Sequence, residues 1–268
     1  MKISVITISY NAAECIERTI KSVINQKDAD YEYIIVDGNS SDGTQNIIQK
    51  YSKSISKWIS EPDSGIYCAM NKGTRMASGE YCLYLNAGDM LVDDNVLKRV
   101  WTYLDGTSIC TGNQISVLNC KLTNYSKSEE KVDRLFFYGR SLCHQATFFL
   151  REDVLETPYD ETYRMISDWK LESELILLKG KSYKSMNVDV CYFVQDGVTF
   201  TNMREGKLER MKALTEIFDE DELKTLSDKR SWQISKYNPK HIYEGFIRQV
   251  RKLCKTIQYR DVIKNLSI

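Results

Sequence analysis

Tyr33-Ile34-Ile35-Val36-Asp37-Gly38-Asn39-Ser40-Ser41-Asp42-Gly43-Thr44 is the stretch on which the fold turns. Its first four residues are apolar without alternation, the mark of a strand covered on both faces, and such strands belong to parallel sheets. Asp37-Gly38 stops the strand, and Ser41 or Asp42 can cap a helix running from about Thr44 to Tyr51. Upstream, Ile3 to Ser9 is short and β-branched, and Ala12 to Gln26 sets Ile16, Ile20, Val23 and Ile24 at helical spacing. Downstream, a strand around Trp58-Ile59-Ser60 leads through Glu61-Pro62-Asp63-Ser64-Gly65 into a helix ending near Met76. Gly79-Glu80 then opens a fourth strand, Tyr81 to Leu85. This β-α-β-α alternation predicts an α/β fold, a doubly wound and mostly parallel sheet with right-handed crossovers.

Beyond Asp94 the pattern loosens. A helix is expected over Asn95–Tyr103, two short strands within Ser108–Tyr125, another strand over Leu142–Phe149, and a helix capped by Ser167 and ending near Leu178. Ser182–Phe193 reads as extended, and from Asn202 the chain is helical and charged. In 268 residues, 37 Lys and Arg balance 37 Asp and Glu. The balance hides a split, because ten basic residues after Asp228 face only Glu244 and Asp261, leaving +8 there and −8 on the rest. A neutral total excludes a uniformly basic nucleic-acid binder. No apolar run approaches the roughly 18–20 residues of a membrane span. Met1–Ile8 lacks the apolar core of a signal peptide, so a cytoplasmic location is expected. The eight cysteines form no C-x-x-C pair and read as free thiols.

Ligands of doubly wound sheets sit beyond the carboxyl ends of the strands. Polar clusters stand at four such ends: Tyr10-Asn11, Asp37 to Asp42, Asp63, and Asn86-Ala87-Gly88-Asp89. The first turn has no glycine, so it is not a dinucleotide fingerprint. Gly38 to Thr44 has P-loop glycine spacing without the lysine that reaches phosphate. Acids at strand ends hold phosphates through a divalent cation, and they accept hydrogen bonds from a base or ribose.

Four ordered motifs resemble those of the family 2 glycosyltransferases. They are Ile3 to Asn11, Val36 to Thr44, Glu61-Pro62-Asp63-Ser64-Gly65-Ile66-Tyr67-Cys68-Ala69-Met70-Asn71-Lys72-Gly73, and Gly79 to Asp89. The resemblance covers about residues 1–200 and implies a GT-A fold, Rossmann-like, with an inverting, nucleotide-sugar-dependent activity. It divides the chain into a catalytic domain over 1–200, with a nucleotide half to about 105 and an acceptor half over 106–200. A helical, basic C-terminal extension follows over 201–268. By resemblance, Tyr10 and Asn11 border the nucleobase, Asp37 binds base or ribose, Asp63 sits near the nucleotide, and Asn71 and Lys72 reach the ribose or diphosphate. Asp89 stands as the ligand of Mn²⁺ or Mg²⁺, a single carboxylate where the family has two acids, and Cys68 replaces an acid common in relatives. Asn86, His144, Gln145 and Trp169 are expected as donor or acceptor contacts, although core packing is the better reading of Trp169. Asp168 is expected as the base that takes the acceptor hydroxyl's proton.

The implied reaction moves a sugar from a nucleoside-diphosphate donor, UDP-linked by expectation, to a hydroxyl of a saccharide or lipid-linked saccharide in surface polysaccharide biosynthesis. The alternative is a non-catalytic nucleotide-sugar-binding or assembly subunit. No nucleic-acid partner is expected, and a homo-oligomer stays open. In the tail, Lys240 to about Ile263 places Ile242, Phe246, Val250, Leu253 and Ile257 near one face and Arg248, Arg251, Lys252 and Lys255 largely on the other. That pattern suits peripheral contact with the inner face of an anionic membrane through 240–264, and it equally suits packing on protein.

Overall fold

A computed structural model describes residues 2–119, 121–194 and 203–236. Its first half is the alternation read from the sequence. β1 (Ile3–Ser9), α1 (Ile16–Ile24), β2 (Tyr31–Asp37), α2 (Thr44–Lys50), β3 (Lys57–Ser60), α3 (Ile66–Met76) and β4 (Tyr81–Tyr84) follow one another. β5 (Met90–Leu91), α4 (Val96–Trp101), β6 (Ile109–Leu118), β7 (Lys121–Ser126), α5 (Arg134–Gly139), β8 (Thr147–Leu150), α6 (Arg151–Glu156), α7 (Ser167–Ser173) and β9 (Tyr183–Val194) continue the chain. Two helices close the description, α8 (Met203–Ile217) and α9 (Glu220–Lys236).

The strands join in one sheet of order β3-β2-β1-β4-β8-β6-β9-β5, with β7 beside the far part of β6. β3, β2, β1 and β4 are parallel. β8 enters antiparallel to β4 and to β6, β6 runs parallel to β9, β5 pairs antiparallel with β9, and β7 pairs antiparallel with β6.

Strand periodicity explains why both faces are dry. Ile3 and Val5 of β1, with Tyr33 and Ile35 of β2, pack against Ile16, Ile20 and Val23 of α1. Ile6 and Ile8, with Ile34 and Val36, pack against Tyr67, Ala69 and Met70 of α3 on the other face. Gly73 lets α3 lie this close, because a Cβ there would run into Ile6 Cγ2. At the far end of the sheet, buried Glu32 accepts hydrogen bonds from Ser4 Oγ (2.7 Å), Ser78 N (2.5 Å), Ser78 Oγ (2.8 Å) and Gly79 N (3.0 Å). That carboxylate binds β1, β2 and the β4 approach into one rim.

The structure departs from expectation at several boundaries. α1 begins at Ile16 rather than Ala12, because the N–H groups of Ala12 and Ala13 are taken by Thr44 Oγ1 and Asp42 Oδ2 across the loop. The two strands expected within Ser108–Tyr125 are β6 and β7, paired as a hairpin, with β6 longer than expected at ten residues. The extended Leu142–Phe149 expectation gives way to a 3₁₀ turn, His144–Ala146, ahead of β8. Ser167 is the first residue of α7 and not its cap; its buried Oγ has no partner among the described residues, and the helix widens into π-type turns over Glu174–Leu178. Residues 195–202 and the tail segment 240–264 lie outside the described residues. No helix among the described residues is long and apolar enough to cross a membrane.

Candidate active site

The carboxyl ends of β1, β2 and β3 meet at Asp37. Its side chain is fully buried, and each oxygen takes two donors: Ser9 Oγ (2.9 Å) and Ser40 Oγ (2.5 Å) on Oδ1, Ser40 N (2.9 Å) and Ser60 Oγ (2.6 Å) on Oδ2. A carboxylate offers about four lone-pair positions, and all are occupied here. Asp37 is therefore the knot that ties three strand ends.

Around that knot two loops clasp each other. Asn11, at φ 45°, donates its N–H to Ser40 Oγ (2.8 Å) and accepts Ser41 N at its side-chain oxygen (3.1 Å). Tyr10 beside it is 68% exposed, an aromatic face held out at the strand end. Gly38 lies between this ring and Asp63, since a Cβ on it would stand 3.2 Å from Tyr10 Cδ2 and 2.9 Å from Asp63 Oδ2. Asp63 Oδ1 accepts Gly65 N (3.0 Å), closing the turn into α3. Tyr10 and Asp63 thus come together across a bare stretch of backbone.

Asn71 and Lys72 do not join them. Asn71 is buried, donating to Tyr159 O (2.8 Å) and Glu161 Oε1 (2.9 Å) and accepting Tyr159 N (3.0 Å). It staples α3 to the 159–161 segment. Lys72 turns back to Glu61 (2.8 Å) and Pro62 O (3.1 Å), and the Glu61 bond raises its pKa. In this arrangement both hold their surroundings in place.

The Asn86–Asp89 turn is anchored from α1: Gly88 N donates to Thr19 Oγ1 (2.8 Å), and Arg18 Nε donates to Gly88 O (2.8 Å). Asp89 is buried and accepts Val194 N at Oδ1 (3.0 Å). No group of three or more His, Cys, Asp or Glu among the described residues could hold a metal ion. The donor set fits an ion carried mainly by diphosphate oxygens and waters with one protein carboxylate, as Mg²⁺ commonly is, and it does not fit an all-protein cage.

Asp168 stands where α3, the His144 turn and α7 converge. Tyr67 OH donates to its Oδ1 (3.0 Å), and His144 Nδ1 lies 3.1 Å from its Oδ2. His144 Nε2 lies 3.3 Å from Asn86 Nδ2, and the buried Asn86 Oδ1 has no hydrogen-bond partner among the described residues. Burial pushes Asp168 up, but the His144 hydrogen bond and charge, the Trp169 N–H and the Tyr67 hydroxyl outweigh it and hold the carboxyl below its usual range. One turn along α7, Glu172 is fully buried and accepts Ser141 Oγ and Leu142 N, both at 3.1 Å. Burial, and behind it the Asp168 charge, pushes Glu172 well above the carboxylate range. Burial and then Asp168 likewise raise Tyr67, so its hydroxyl remains a donor.

Trp169 is corrected as a sugar platform. It is 1% exposed, its Nε1 donates to Phe137 O (3.0 Å), and Arg210 lies 3.8 Å over its ring. Gln145 is buried in the turn beside His144. The sequence reading missed Tyr67 and Glu172. Glu172 carries a signal, four residues after Asp168 and so on the same helix face; Tyr67 carries none, since its partner lies 101 residues away.

A family model described as Glycosyl transferase family 2 matches residues 4–157. A PGL/p-HBAD biosynthesis glycosyltransferase of Mycobacterium bovis is 31% identical over 175 residues, covering 62% of this chain and 66% of that one. The putative teichuronic acid biosynthesis glycosyltransferase TuaG of Bacillus subtilis is 41% identical over 101 residues, covering 37% of this chain and 40% of its own length. The chain thus spans a little under two thirds of the mycobacterial relative. Among solved structures, S. aureus TarS 1–349 in complex with UDP superposes with a TM-score of 0.59 at 19% identity, covering 78% of this chain and 65% of that one. The mannosyltransferase PcManGT from Pyrobaculum calidifontis, in complex with GDP-Man and Mn²⁺, gives 0.58 at 15% identity, covering 98% and 83%. At these identities the likeness is one of fold, the GT-A arrangement.

Proposed function

The chain belongs to glycosyl transferase family 2, and from that premise we propose that it is an inverting glycosyltransferase with Asp168 as its base. The observation that carries this reading is the position of Asp168. Its carboxyl is held below its usual range by donors on both oxygens, and it stands one histidine away from the loop bearing Asp89. With Tyr67, His144 and the Trp169 N–H on it, one of its four lone-pair positions stays open to an acceptor hydroxyl. As the acceptor oxygen bonds the anomeric carbon, its proton passes to Asp168. The bond from that carbon to the diphosphate oxygen breaks, and the electron pair leaves with the nucleoside diphosphate. Attack and departure on opposite faces invert the centre. A divalent cation, when bound at Asp89, supplies charge neutralisation to the departing diphosphate.

A UDP-linked donor is supported by the Tyr10–Asp63 pair. The exposed Tyr10 ring offers a stacking face. Asp63 Oδ1 is taken by Gly65, and Oδ2 accepts no hydrogen bond among the described residues. One open acceptor matches a base with one N–H between two carbonyls, as in uracil, better than the adjacent two donors of guanine. The family relatives in cell-surface glycan synthesis support a saccharide or lipid-linked saccharide acceptor.

A thermal-shift panel of UDP-, GDP- and dTDP-sugars with and without Mn²⁺, followed by an assay of nucleoside-diphosphate release, tests the reading. Stabilisation by one donor, with release that falls about 10²–10⁴-fold in Asp168→Asn while donor binding persists, is expected. Donor binding without turnover under any metal and acceptor condition would leave a non-catalytic subunit. Full turnover in Asp168→Asn would remove Asp168 as the base.

A further inference from the structure

Every ring nitrogen of His144 is engaged inside the protein, Nδ1 by Asp168 and Nε2 by Asn86. Its backbone is equally constrained. Ala146 N donates to Cys143 O (2.7 Å), Thr147 Oγ1 donates to the same oxygen (2.9 Å), and Thr147 Oγ1 also meets Thr111 Oγ1 on β6 (2.9 Å). A side chain mounted this way serves its neighbours rather than a ligand. We propose that His144 is a positioning residue: through Nδ1–H it fixes the plane of the Asp168 carboxylate against Tyr67, and through Nε2 it locks that carboxylate to the Asn86–Asp89 loop. The inference rests on Asp168 being the base.

The physical argument is one of rotation. A carboxylate held by a single donor swings about its Cβ–Cγ bond; donors on both oxygens, Tyr67 on Oδ1 and His144 on Oδ2, leave one orientation. The remaining lone pairs then point one way, where an acceptor hydroxyl must arrive. Misplacement of a reacting group by an ångström costs about 10²-fold in rate. Asn86 adds the second half of the device. It ties the same imidazole to the turn that carries Asp89, so that base and diphosphate side share one rigid link.

The two ring nitrogens give the test its resolution. An asparagine at 144 places its amide N–H about where Nδ1–H stands and can still donate to Asp168. A glutamine reaches about as far as Nε2 and serves the Asn86 side. Steady-state transfer is measured for wild type, His144→Asn, His144→Gln and His144→Ala, with Tyr67→Phe as the matching loss on the other oxygen and thermal melting as the folding control. We expect kcat in His144→Asn within about tenfold of wild type, and kcat in His144→Gln, His144→Ala and Tyr67→Phe lowered about 10²-fold with the donor KM unchanged.

The pH profile adds a readout that packing alone does not move. The groups facing Asp168 are His144, Tyr67, the Tyr159 hydroxyl stacked behind Tyr67 and raised by burial, and, along α7, Glu172, with the Cys143 thiol behind Glu172 and Arg210 beyond it. Burial and the Asp168 charge push Glu172 well above the carboxylate range, burial raises Tyr67 above its ordinary 10 so that it keeps its proton, and burial holds Cys143 at about 11. Removing the His144 donor therefore raises the Asp168 pKa, and the acid limb of kcat moves to higher pH in His144→Ala but stays in place in His144→Asn. A glutamine variant more active than the asparagine variant, or an acid limb that does not move in His144→Ala, overturns the proposal. A wild-type chain inactive with every donor overturns the glycosyltransferase reading instead, so the two failures are distinct.

Discussion

Replacing Asp37 with alanine separates a structural knot from a nucleotide contact. The carboxylate accepts four hydrogen bonds at 2.5 to 2.9 Å, from Ser9, Ser40 twice, and Ser60, in a place with no solvent. Alanine leaves three hydroxyls and one backbone N–H without their acceptor. At roughly 1–3 kcal/mol for each buried group left unsatisfied, with part recovered by the hydroxyls turning to one another, the loss is about 3–5 kcal/mol. For a chain of this size that lowers Tm by roughly 8–15 °C at about 2–4 °C per kcal/mol. Asp37→Asn keeps the shape but must present N–H groups to donors, so it loses about half as much. The assay is scanning calorimetry of both variants, with UDP titration at a temperature where each is folded. A nucleotide contact gives the opposite pattern: an unmoved Tm with UDP affinity lost in Asp37→Ala. Observing that pattern refutes the knot.

Glu32 sets the acid response of the fold. Burial disfavours its charge, but the Ser4 hydroxyl, the Ser78 N–H and hydroxyl, and Lys2 hold the carboxyl at about 2 against an ordinary 4.5. The folded value is depressed, so the stabilisation is full above about 4.5 and is lost as pH falls toward 2; Glu32→Gln removes that slope, worth on the order of 2–3 kcal/mol, in urea melts at pH 7 and pH 3. An unchanged difference between the two pH values would count against this assignment. At the nucleotide end, Asp63→Asn is expected to weaken UDP binding about tenfold by calorimetry, since an amide oriented to satisfy Gly65 N–H turns a donor toward the base N–H. Equal UDP affinity in the variant sinks the uracil contact. For the tail, reversing Arg248, Arg251, Lys252 and Lys255 to glutamate in the full chain is expected to abolish pelleting with vesicles containing anionic lipid, and equal pelleting removes the membrane reading.

Much of the fold was legible because burial on two faces leaves a mark along the chain. β1, β2 and β4 are continuous apolar or β-branched runs, and each ends at the polar cluster that the sequence alone marks as site-like. Partnership was less legible. Asp37 looks like a ligand because a conspicuous acid follows a strand, yet its donors Ser9 and Ser60 lie 28 and 23 residues away and are ordinary serines. Trp169 looks like a sugar platform for the same reason: the sequence shows an aromatic next to Asp168, while the burial that removes it from solvent is supplied by Phe137 and Arg210 on other helices.

The assembly of the base has a topological cause that no local pattern carries. β8 enters the sheet between β4 and β6, antiparallel to both, with Leu83 opposite Phe148. In antiparallel register, moving three residues beyond Leu83 brings Asn86 level with Gln145, so the start of β8 meets the end of β4. That is why His144, 58 residues from Asn86 in the chain, reaches it at 3.3 Å. A parallel strand in the same slot, as the β-α-β rhythm of the first half leads one to expect, would begin at the other end of β4 and carry the His-Gln turn to the Glu32 rim. The reversal of this one strand thus delivers the histidine to the carboxyl ends, where Asp168 and the Asp89 loop lie.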